Sequence, residues 1–447
     1  MMALQQAAKI LKGTCFGENV NFSNISTDTR KLQNGDLYIA LHGDVFDGHD
    51  YIKQAEQAGA AAAIVHKDVQ THLPIIKVED TRKALGDLAA AKREKFNGKV
   101  AAITGSNGKT TVKEMLSSII AKQGSVLATQ GNFNNDIGMP LTLLRMQKED
   151  FAIIEMGANH VGEIAYLTAI AKPDVALINN AAAAHLEGFG SLKGVAQAKG
   201  EIYQGLSKNA TAVINIDDDF SDYWSGLIQQ SIKIITFSMR DKAADVYGEW
   251  KKTDSNNILN VQVRNDNLTI NLKVHGLHNA MNALAAIAVA EALQIKHEFI
   301  VEALNEFEAV KGRLNFRRVN KGLTIIDDTY NANAASLFAG IDVLTEQPGK
   351  HWLVLGDMGE LGDDEQRIHF DAGIKARKSG VSRLLTIGEA SRHAVDAFGD
   401  NAQSFENKDE LVSFIKHHQP EELVILVKGS RFMQMEKIVK SIIKGAN

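Results

Sequence analysis

The sequence predicts an α/β protein with parallel sheets, and three observations support this fold class. Strand-like apolar runs alternate with helix-like patterns along almost the whole chain, which is typical of parallel α/β layers rather than of a sandwich or a bundle. The stretch ITGSNGKTT at residues 103–111 links an apolar strand to a helical pattern through a glycine-rich loop. The length of 447 residues suits about three domains, each large enough for its own core.

Three units are expected along the chain, at residues 1–95, 96–312 and 313–447. The first ends with a charged helix, Thr81 to Lys95, because Asn97-Gly98 interrupts the pattern before the next strand. The second unit carries the glycine-rich loop, and the third contains further apolar strands.

Composition limits the classes of function. The net charge of -5 argues against general nucleic-acid binding. Cys15 is the only cysteine, so an intramolecular disulfide and a thiolate metal cluster are excluded, and a reducing compartment is expected. Neither a signal peptide nor a membrane-spanning apolar segment is evident. We therefore expect a cytoplasmic protein without nucleic-acid partners and without membrane insertion.

The glycine-rich loop has the context of a phosphate-binding loop. The run 99–103 reads as a buried strand, and apolar residues recur at helical spacing directly after the loop. Backbone N–H groups at such a helix start face anionic oxygens, while Lys109 supplies a charge and Thr110 a hydroxyl for magnesium. The first glycine of the usual spacing is replaced by Ile103, so the loop is a shortened variant. The alternative is a glycine-rich turn with an incidental lysine.

Polar residues collect at the ends of apolar strands in the second unit, where an open α/β sheet binds its ligands. Glu155 follows one strand, and His185 comes shortly after another. Glu155 suits a hard cation that bridges phosphates, whereas His185 is a less usual magnesium ligand and on spacing alone reads as a structural histidine. From its position alone, Lys199 reads as a solvated lysine on the following helix.

The motifs together resemble the Mur ligases of bacterial cell-wall synthesis. The second unit carries TGSNGKTT, GNFNNDIGMPLTLL, EMGANHVGEI, NNAAAAHLEGFGSL and HGLHNAMN in the family's order. In the first unit, STDTR, GDLYIAL and DGHDYI resemble the family's uridine-nucleotide module. In the third, DDTYNANAAS, LGDMGELG and KGSR resemble the member that adds D-alanyl-D-alanine. The resemblance covers nearly the whole chain.

The resemblance implies a three-domain architecture with a central parallel-sheet domain like that of P-loop ATPases. A C-terminal Rossmann-like domain would close over ATP and the amine substrate. The implied activity is an ATP-dependent ligase that joins D-alanyl-D-alanine to UDP-N-acetylmuramoyl-tripeptide through an acyl phosphate and a tetrahedral intermediate, with release of ADP and phosphate. A monomer in the bacterial cytoplasm is expected.

The resemblance also implies which residues form the metal site and carry the chemistry. Thr110, Glu155 and His185 are expected near two magnesium ions. Lys199 lies in GVAQAKGE, which looks like the family segment whose lysine becomes a carbamate, and a carbamate could hold the second ion. The alternative is a plain lysine that balances phosphate charge. Lys109, Lys199 and His185 are the expected catalytic residues.

Further residues are expected to bind ATP and the UDP substrate. The expected ATP contacts are Gly105, Ser106, Asn107, Gly108, Lys109, Thr110, Thr111, Asn279, Asn282, Arg313, Asp328 and Asn331. The expected substrate contacts are Asp28, Thr29, Arg30, Asn134 and Asn135. Without the family, STDTR would read as a helix cap and Asn279 and Asn282 as a polar helix edge. Ala334 departs from the usual proline after NAN, so a less rigid turn is expected there.

Two other classes of function remain to be compared. A folate-polyglutamate type of ligase would share the phosphate loop and the last domain but lack a UDP module, against which STDTR and DGHDYI argue. A nucleotide-dependent switch would need neither the additional metal-ligand candidates nor a separate acceptor domain.

Overall fold

The structure, a computed structural model, describes residues 2–43, 45–183, 186–252 and 257–444. Three larger sheets follow one another along the chain, and each is covered by helices. A two-stranded antiparallel ribbon accompanies the first of them. The alternation of strands and helices predicted from the sequence is therefore confirmed.

The first sheet has five strands in the order β2-β7-β6-β5-β4, with only the β2–β7 pair antiparallel. Its apolar residues pack on α1 and α3, so that this part of the chain has its own core. The elements are β1 (Met2–Ala3), α1 (Leu4–Leu11), β2 (Thr14–Phe16), β3 (Asn21–Phe22), β4 (Ile25–Ser26), β5 (Leu37–Ile39), α2 (Ile52–Gln57), β6 (Ala62–Val65), β7 (Ile75–Lys77) and α3 (Thr81–Glu94).

The second sheet has nine strands in the order β16-β15-β14-β13-β12-β11-β8-β10-β9. The elements are β8 (Lys99–Thr104), α4 (Lys109–Ala121), β9 (Val126–Ala128), α5 (Gly138–Leu144), β10 (Phe151–Glu155), α6 (Glu163–Ala171), β11 (Val175–Ile178), α7 (Leu186–Phe189), α8 (Leu192–Gln204), β12 (Thr211–Asn215), α9 (Ser221–Leu227), β13 (Lys233–Ser238), β14 (Val246–Lys252), β15 (Asn257–Val263), β16 (Asp266–Leu272), α10 (Leu277–Ala292) and α11 (His297–Glu306).

Strands β14, β15 and β16 form an antiparallel extension that the sequence analysis did not predict. Their buried and exposed residues alternate, as expected for strands with one face on a core. The segment NILNVQV, a short polar turn and DNLTINL together give a hairpin signal. The remaining strands of this sheet are parallel, and the central ones, β8, β10, β11 and β12, are buried almost throughout because helices cover both faces.

The third sheet has six strands in the order β17-β18-β22-β19-β20-β21, and only β17 is antiparallel to its neighbour. The elements are β17 (Asn315–Arg318), β18 (Leu323–Asp328), α12 (Ala334–Thr345), β19 (Lys350–Gly356), α13 (Glu365–Lys378), β20 (Arg383–Ile387), α14 (Arg392–Phe398), β21 (Ala402–Phe405), α15 (Lys408–His418), β22 (Leu423–Lys428) and α16 (Glu436–Lys444). None of the helices in the described residues is long and apolar enough to cross a bilayer.

The strand order of the second sheet places the candidate residues together. Strand β8 lies between β11 and β10, while the chain passes from β8 first to the β9 side and later to the β11 side. This reversal opens a crevice at the carboxyl ends of the strands, which is where such sheets bind ligands. The glycine-rich loop after β8, Glu155 at the end of β10 and Asn179 after β11 all lie at this edge.

Tyr203 on α8 generates a prediction about the stability of the second sheet. Its buried hydroxyl accepts a hydrogen bond from the Ile178 N–H at 3.0 Å and donates to the Val213 carbonyl at 2.5 Å. We expect Tyr203→Phe to lower the free energy of unfolding by about 1–3 kcal/mol, because it leaves a buried N–H without a partner. Chemical denaturation measures the loss, and hydrogen exchange at the Ile178 amide locates it.

Tyr166→Phe is the matched control for this prediction. Tyr166 is only partly buried, and its hydroxyl makes no hydrogen bond within the described part of the chain. Equal losses in the two variants would contradict the role assigned to the Tyr203 hydroxyl.

Candidate active site

Two glycines give the phosphate loop its shape. Gly105 and Gly108 have φ values of 151° and 79°, in the region that L side chains rarely adopt. A Cβ atom on Gly108 would also lie 2.2 Å from Oδ1 of Asn282 and 2.4 Å from Nδ2 of Asn179. The loop therefore lies so close to these asparagines that only glycine fits at position 108.

The segment after β11 is hydrogen-bonded to the phosphate loop. Ser106 and Asn107 donate their N–H groups to the carbonyl and the side-chain Oδ1 of Asn180, at 3.0 and 2.9 Å. The Asn107 carbonyl accepts from Nδ2 of Asn179 and of Asn180, at 2.9 and 3.1 Å. Because α4 begins at Lys109, its first N–H groups have no intrahelical acceptor and remain for an anion.

Lys109 lies in the concave side of this loop. Its ammonium donates to the Gly105 carbonyl at 2.7 Å, and the Ser106 carbonyl is 3.5 Å away. Burial lowers the pKa of Lys109, while the nearby Glu155 carboxylate opposes this shift. The ammonium is therefore positioned where a bound phosphate group would replace carbonyl oxygens as its partner.

Glu155 and Thr110 form the centre of the candidate metal site. Glu155 is 2% exposed, and its Oε2 accepts a hydrogen bond from the Thr110 hydroxyl at 3.0 Å. Its Oε1 accepts from Nδ2 of Asn134 at 2.9 Å, which orients the carboxylate, and contact of Asn134 with the substrate stays a prediction. In the described residues no three histidine, cysteine or acidic side chains converge on one point. One carboxylate and a hydroxyl nevertheless fit magnesium, which takes its other ligands from water and phosphates.

Arg313 brings the third unit to this centre. Its Nη2 donates to the Thr110 hydroxyl oxygen at 2.9 Å, and its guanidinium stacks over the Tyr330 ring at 4.4 Å. Its buried Nε has no hydrogen-bond partner in the described residues. A buried unpaired donor beside the phosphate loop is consistent with an anionic ligand that is bound there during function.

Lys199 is buried, contrary to the solvated lysine that its position alone suggested. The residue is 3% exposed on α8, and its ammonium lies 5.8 Å from the centre of the Phe189 ring. Burial and the neighbouring Lys109 lower the pKa of Lys199 well below its usual value. The side chain therefore favours a neutral amine. His185, the other expected catalytic residue on this side, lies outside the described residues.

Asn279 and Asn282 form a chain of side-chain amides beneath the loop. Asn282 accepts from Nδ2 of Asn179 at 2.9 Å and donates to Oδ1 of Asn279 at 3.2 Å. Asn279 in turn donates to the His275 carbonyl at 2.9 Å. Oδ1 of Asn179 has no partner within the described residues. Both helix asparagines are thus buried supports of the loop rather than a polar helix edge, and their direct contact with ATP stays a prediction.

Asp328 supports the segment that carries Arg313. Its Oδ1 accepts from the Leu314 N–H at 3.1 Å, and its Oδ2 pairs with the Lys428 ammonium at 2.5 Å. Lys428 also donates to the Asn331 carbonyl at 3.0 Å. The DDTYNANAAS and KGSR motifs therefore meet inside the third unit through this buried ion pair.

The STDTR residues lie in the first unit, at the end of β4 and in the turn that follows it. Arg30 donates twice to the Asp28 carboxylate, at 2.8 and 2.9 Å, while its side chain is 87% exposed. The hydrogen bond from Arg30 lowers the pKa of Asp28. Thr29 donates to the Gln54 side chain at 3.3 Å. Residues 29–31 form a turn with no helix after it, so the helix-cap interpretation is wrong.

Asn333 is a site residue that the sequence analysis did not identify. Its Nδ2 donates to Oδ1 of Asn107 in the phosphate loop at 2.8 Å, across 226 positions of sequence. The asparagine before a helical pattern could have been recognised as a helix cap. Its contact with a distant loop leaves no signal in the local pattern.

The chain is similar to known proteins over nearly its whole length. Residues 21–93 match the Mur ligase family catalytic domain, 103–290 the Mur ligase middle domain, and 312–431 the Mur ligase glutamate ligase domain. The chain is 41% identical over 445 residues to the UDP-N-acetylmuramoyl-tripeptide–D-alanyl-D-alanine ligase of Escherichia coli K12, covering 99% of this chain and 98% of that protein.

Two crystal structures extend the comparison to the fold. MurF from Acinetobacter baumannii matches with a TM-score of 0.93 at 36% identity, covering 98% of each chain. MurF ligase from Thermotoga maritima, in complex with ADP, matches with a TM-score of 0.84 at 28% identity, covering 95% of this chain and 97% of that one. The predicted three-domain architecture is thereby confirmed, and the chain belongs to the Mur ligase family.

Proposed function

We propose that this chain is the ATP-dependent ligase that joins D-alanyl-D-alanine to UDP-N-acetylmuramoyl-tripeptide, the reaction that names its relatives. The observation that carries the proposal is the assembly of Lys109, Thr110 and Glu155 at the phosphate loop, with Arg313 reaching them from another unit. A nucleotide phosphate and a second substrate would meet at this junction. The product is the pentapeptide precursor of peptidoglycan.

The site suits activation of a carboxylate. A carboxylate is a poor acyl donor because its leaving group would be oxide, whereas an acyl phosphate releases phosphate readily. ATP supplies the phosphoryl group, and the two reacting oxygens are both negative, so cations must reduce their repulsion. Lys109 in the loop and the Arg313 guanidinium are placed to do this. The amine of the dipeptide then attacks the acyl carbon, and the tetrahedral intermediate expels phosphate.

Two magnesium ions are proposed. Glu155 and the Thr110 hydroxyl would be ligands, and His185 would be a further one. When bound, the ions offset charge on the phosphate oxygens. Asn134 has a supporting part, since its amide fixes one oxygen of Glu155 and leaves the other for Thr110. Asn135 is proposed to serve the substrate, while its Oδ1 accepts from the Gly138 N–H at 2.8 Å at the start of α5.

The units at residues 1–95, 96–312 and 313–447 are proposed to hold the UDP group, ATP and the amine respectively. Arg30 presents an exposed guanidinium already oriented by Asp28, and guanidinium groups suit pyrophosphate oxygens. In the DGHDYI segment, Asp47 pairs with the half-exposed Lys67 at 2.6 Å, and Lys67 is a further cation of this unit. Since one chain supplies all of these parts, we propose a monomer that works where ATP is available, in the bacterial cytoplasm.

The proposal predicts that ADP release depends on both substrates. With UDP-N-acetylmuramoyl-tripeptide alone we expect only background ADP, because the amine is needed to complete the turnover. Adding D-alanyl-D-alanine should start continuous ADP release with one peptide bond formed per ADP, measured by a coupled assay and by mass spectrometry of the product. ADP release at the full rate without the dipeptide would overturn the ligase in favour of a hydrolase or a switch.

Arg30→Ala tests the assignment of the UDP group to the first unit. We expect binding of the UDP substrate to weaken by about 10- to 100-fold, the value of one or two charge-assisted hydrogen bonds, with ADP affinity unchanged. Titration calorimetry measures both ligands separately. The control is Lys31→Ala, which removes the adjacent exposed cation. Equal losses for Arg30→Ala and Lys31→Ala would indicate a general electrostatic effect and contradict a specific contact.

We propose further that Lys199 becomes a carbamate in the active enzyme. A neutral amine captures carbon dioxide with loss of one proton, and burial favours the neutral form of this amine by lowering its pKa. The resulting anion would be stabilised by Lys109 and by magnesium.

Lys199→Arg should therefore reduce turnover by orders of magnitude, because arginine keeps a positive charge but cannot form a carbamate. Wild-type activity should fall in buffers stripped of carbon dioxide and return when bicarbonate is added. Near-normal turnover of Lys199→Arg, with no mass increase on the residue in native mass spectrometry, would support the plain cation instead.

A further inference from the structure

The two polar side-chain atoms of Asn333, Oδ1 and Nδ2, make different contacts. Its Oδ1 accepts the Ser336 N–H at 2.9 Å, and Ser336 Oγ accepts the Asn333 N–H at 3.1 Å, which forms a capping box at the start of α12. Its Nδ2 is not needed for capping, and it donates to Oδ1 of Asn107 at 2.8 Å. The helix of one unit is thereby joined to the phosphate loop of another.

The backbone of Asn107, the partner in this contact, is fixed by hydrogen bonds. Its N–H and carbonyl are held by Asn179 and Asn180, so the position of its side chain follows the shape of the loop. The amide contact therefore depends on the loop conformation and not merely on the nearness of the two units.

Helix α12 contacts the second unit at both of its ends. In its last turn, Val343 packs so closely on Gly276 that a Cβ on that glycine would lie 2.8 Å from Val343 Cγ2. At its end, Glu346 pairs with Lys252 at 2.6 Å. Asn333 occupies the end of this docked helix that faces the phosphate loop, only a few residues from Tyr330, on which Arg313 stacks.

We propose that Asn333 is a positioning residue that couples closure of the third unit to the shape of the phosphate loop. When the loop has the conformation described here, the amide contact stabilises the closed arrangement that brings Arg313 to Thr110 and completes the amine site. The inference rests on the proposed function for its kinetic consequence, but its structural consequence requires only ATP binding.

Loss of the contact should shift the protein towards open arrangements without disturbing the loop itself. The kinetic signature follows from a smaller closed population: the apparent KM for the amine rises and kcat falls, while the affinity for ADP is retained. One neutral hydrogen bond corresponds to about a 3- to 10-fold change.

Asn333→Ser is the informative variant, because serine is also a good helix cap but is too short to reach Asn107. Ser336→Ala is the matched control, since it weakens the capping box and leaves the Asn333–Asn107 contact in place. Asn107→Ala removes the other partner while its backbone hydrogen bonds remain. Combining Asn107→Ala with Asn333→Ser gives a double-mutant cycle that isolates the interaction.

Two measurements decide the outcome. Small-angle X-ray scattering with a non-hydrolysable ATP analogue and magnesium should show compaction of the wild type and of Ser336→Ala, and less compaction of Asn333→Ser. Steady-state kinetics should show kcat/KM for D-alanyl-D-alanine lowered about 3- to 10-fold in Asn333→Ser, with the double variant no worse than the poorer single variant.

The inference is overturned if Asn333→Ser behaves as the wild type, if Ser336→Ala causes the same loss, or if the effects of Asn107→Ala and Asn333→Ser simply add. The scattering measurement does not require catalytic turnover. It therefore tests the role of Asn333 independently of the proposed ligase activity. A wild type that compacts with the ATP analogue but forms no peptide bond would overturn the ligase assignment and leave the coupling by Asn333 standing.

Discussion

The arrangement of the site depends on how the phosphate loop satisfies its own backbone. A loop that turns N–H groups towards an anion must find partners for its carbonyls elsewhere, because buried backbone groups without partners are costly. Asn179 and Asn180 supply them from the end of the neighbouring strand β11, and Asn282 supports Asn179 from α10. This requires close approach, which explains why position 108 is glycine. The strand order β11-β8-β10 is what puts these groups and Glu155 at one edge.

Around the loop, cations lie closer together than stability alone would favour. Burial and the nearby Arg313 lower the pKa of Lys109. Burial and the nearby Lys109 lower the pKa of Lys199. The Nε of Arg313 and Oδ1 of Asn179 have no partners in the described residues. Uncompensated polar groups cost folding free energy, and natural proteins retain them at sites where a ligand supplies the partner. Phosphate oxygens and their metal ions are the chemistry that would relieve this strain.

The sequence predicted local features well and distant pairings poorly. Strand, loop and helix at residues 99–121 follow from apolar periodicity and from glycine, and the family motifs predicted the three-domain architecture. The burial of Lys199 was not predicted from its position, because it depends on how α8 packs. The pairs Asp328–Lys428 and Asn333–Asn107 join residues 100 and 226 positions apart and leave no periodic signal. The alanine at position 334 illustrates a compensation: proline would preorganise the first helical residue, and here the capping box of Asn333 fixes the helix start instead.

The contacts that join the second and third units are individually weak, which fits the proposed opening and closing of the third unit. The hydrogen bonds Asn333–Asn107 and Arg313–Thr110 are worth about 0.5–1.5 kcal/mol each, or somewhat more for the charged donor. The partly exposed pair Lys252–Glu346 adds about 0.2–1 kcal/mol. Their sum of a few kcal/mol is comparable to the differential binding that a nucleotide provides between two conformations. Closure can thus be controlled by what occupies the loop. A larger, wholly apolar interface would hold the closed form regardless of ligand and would delay product release.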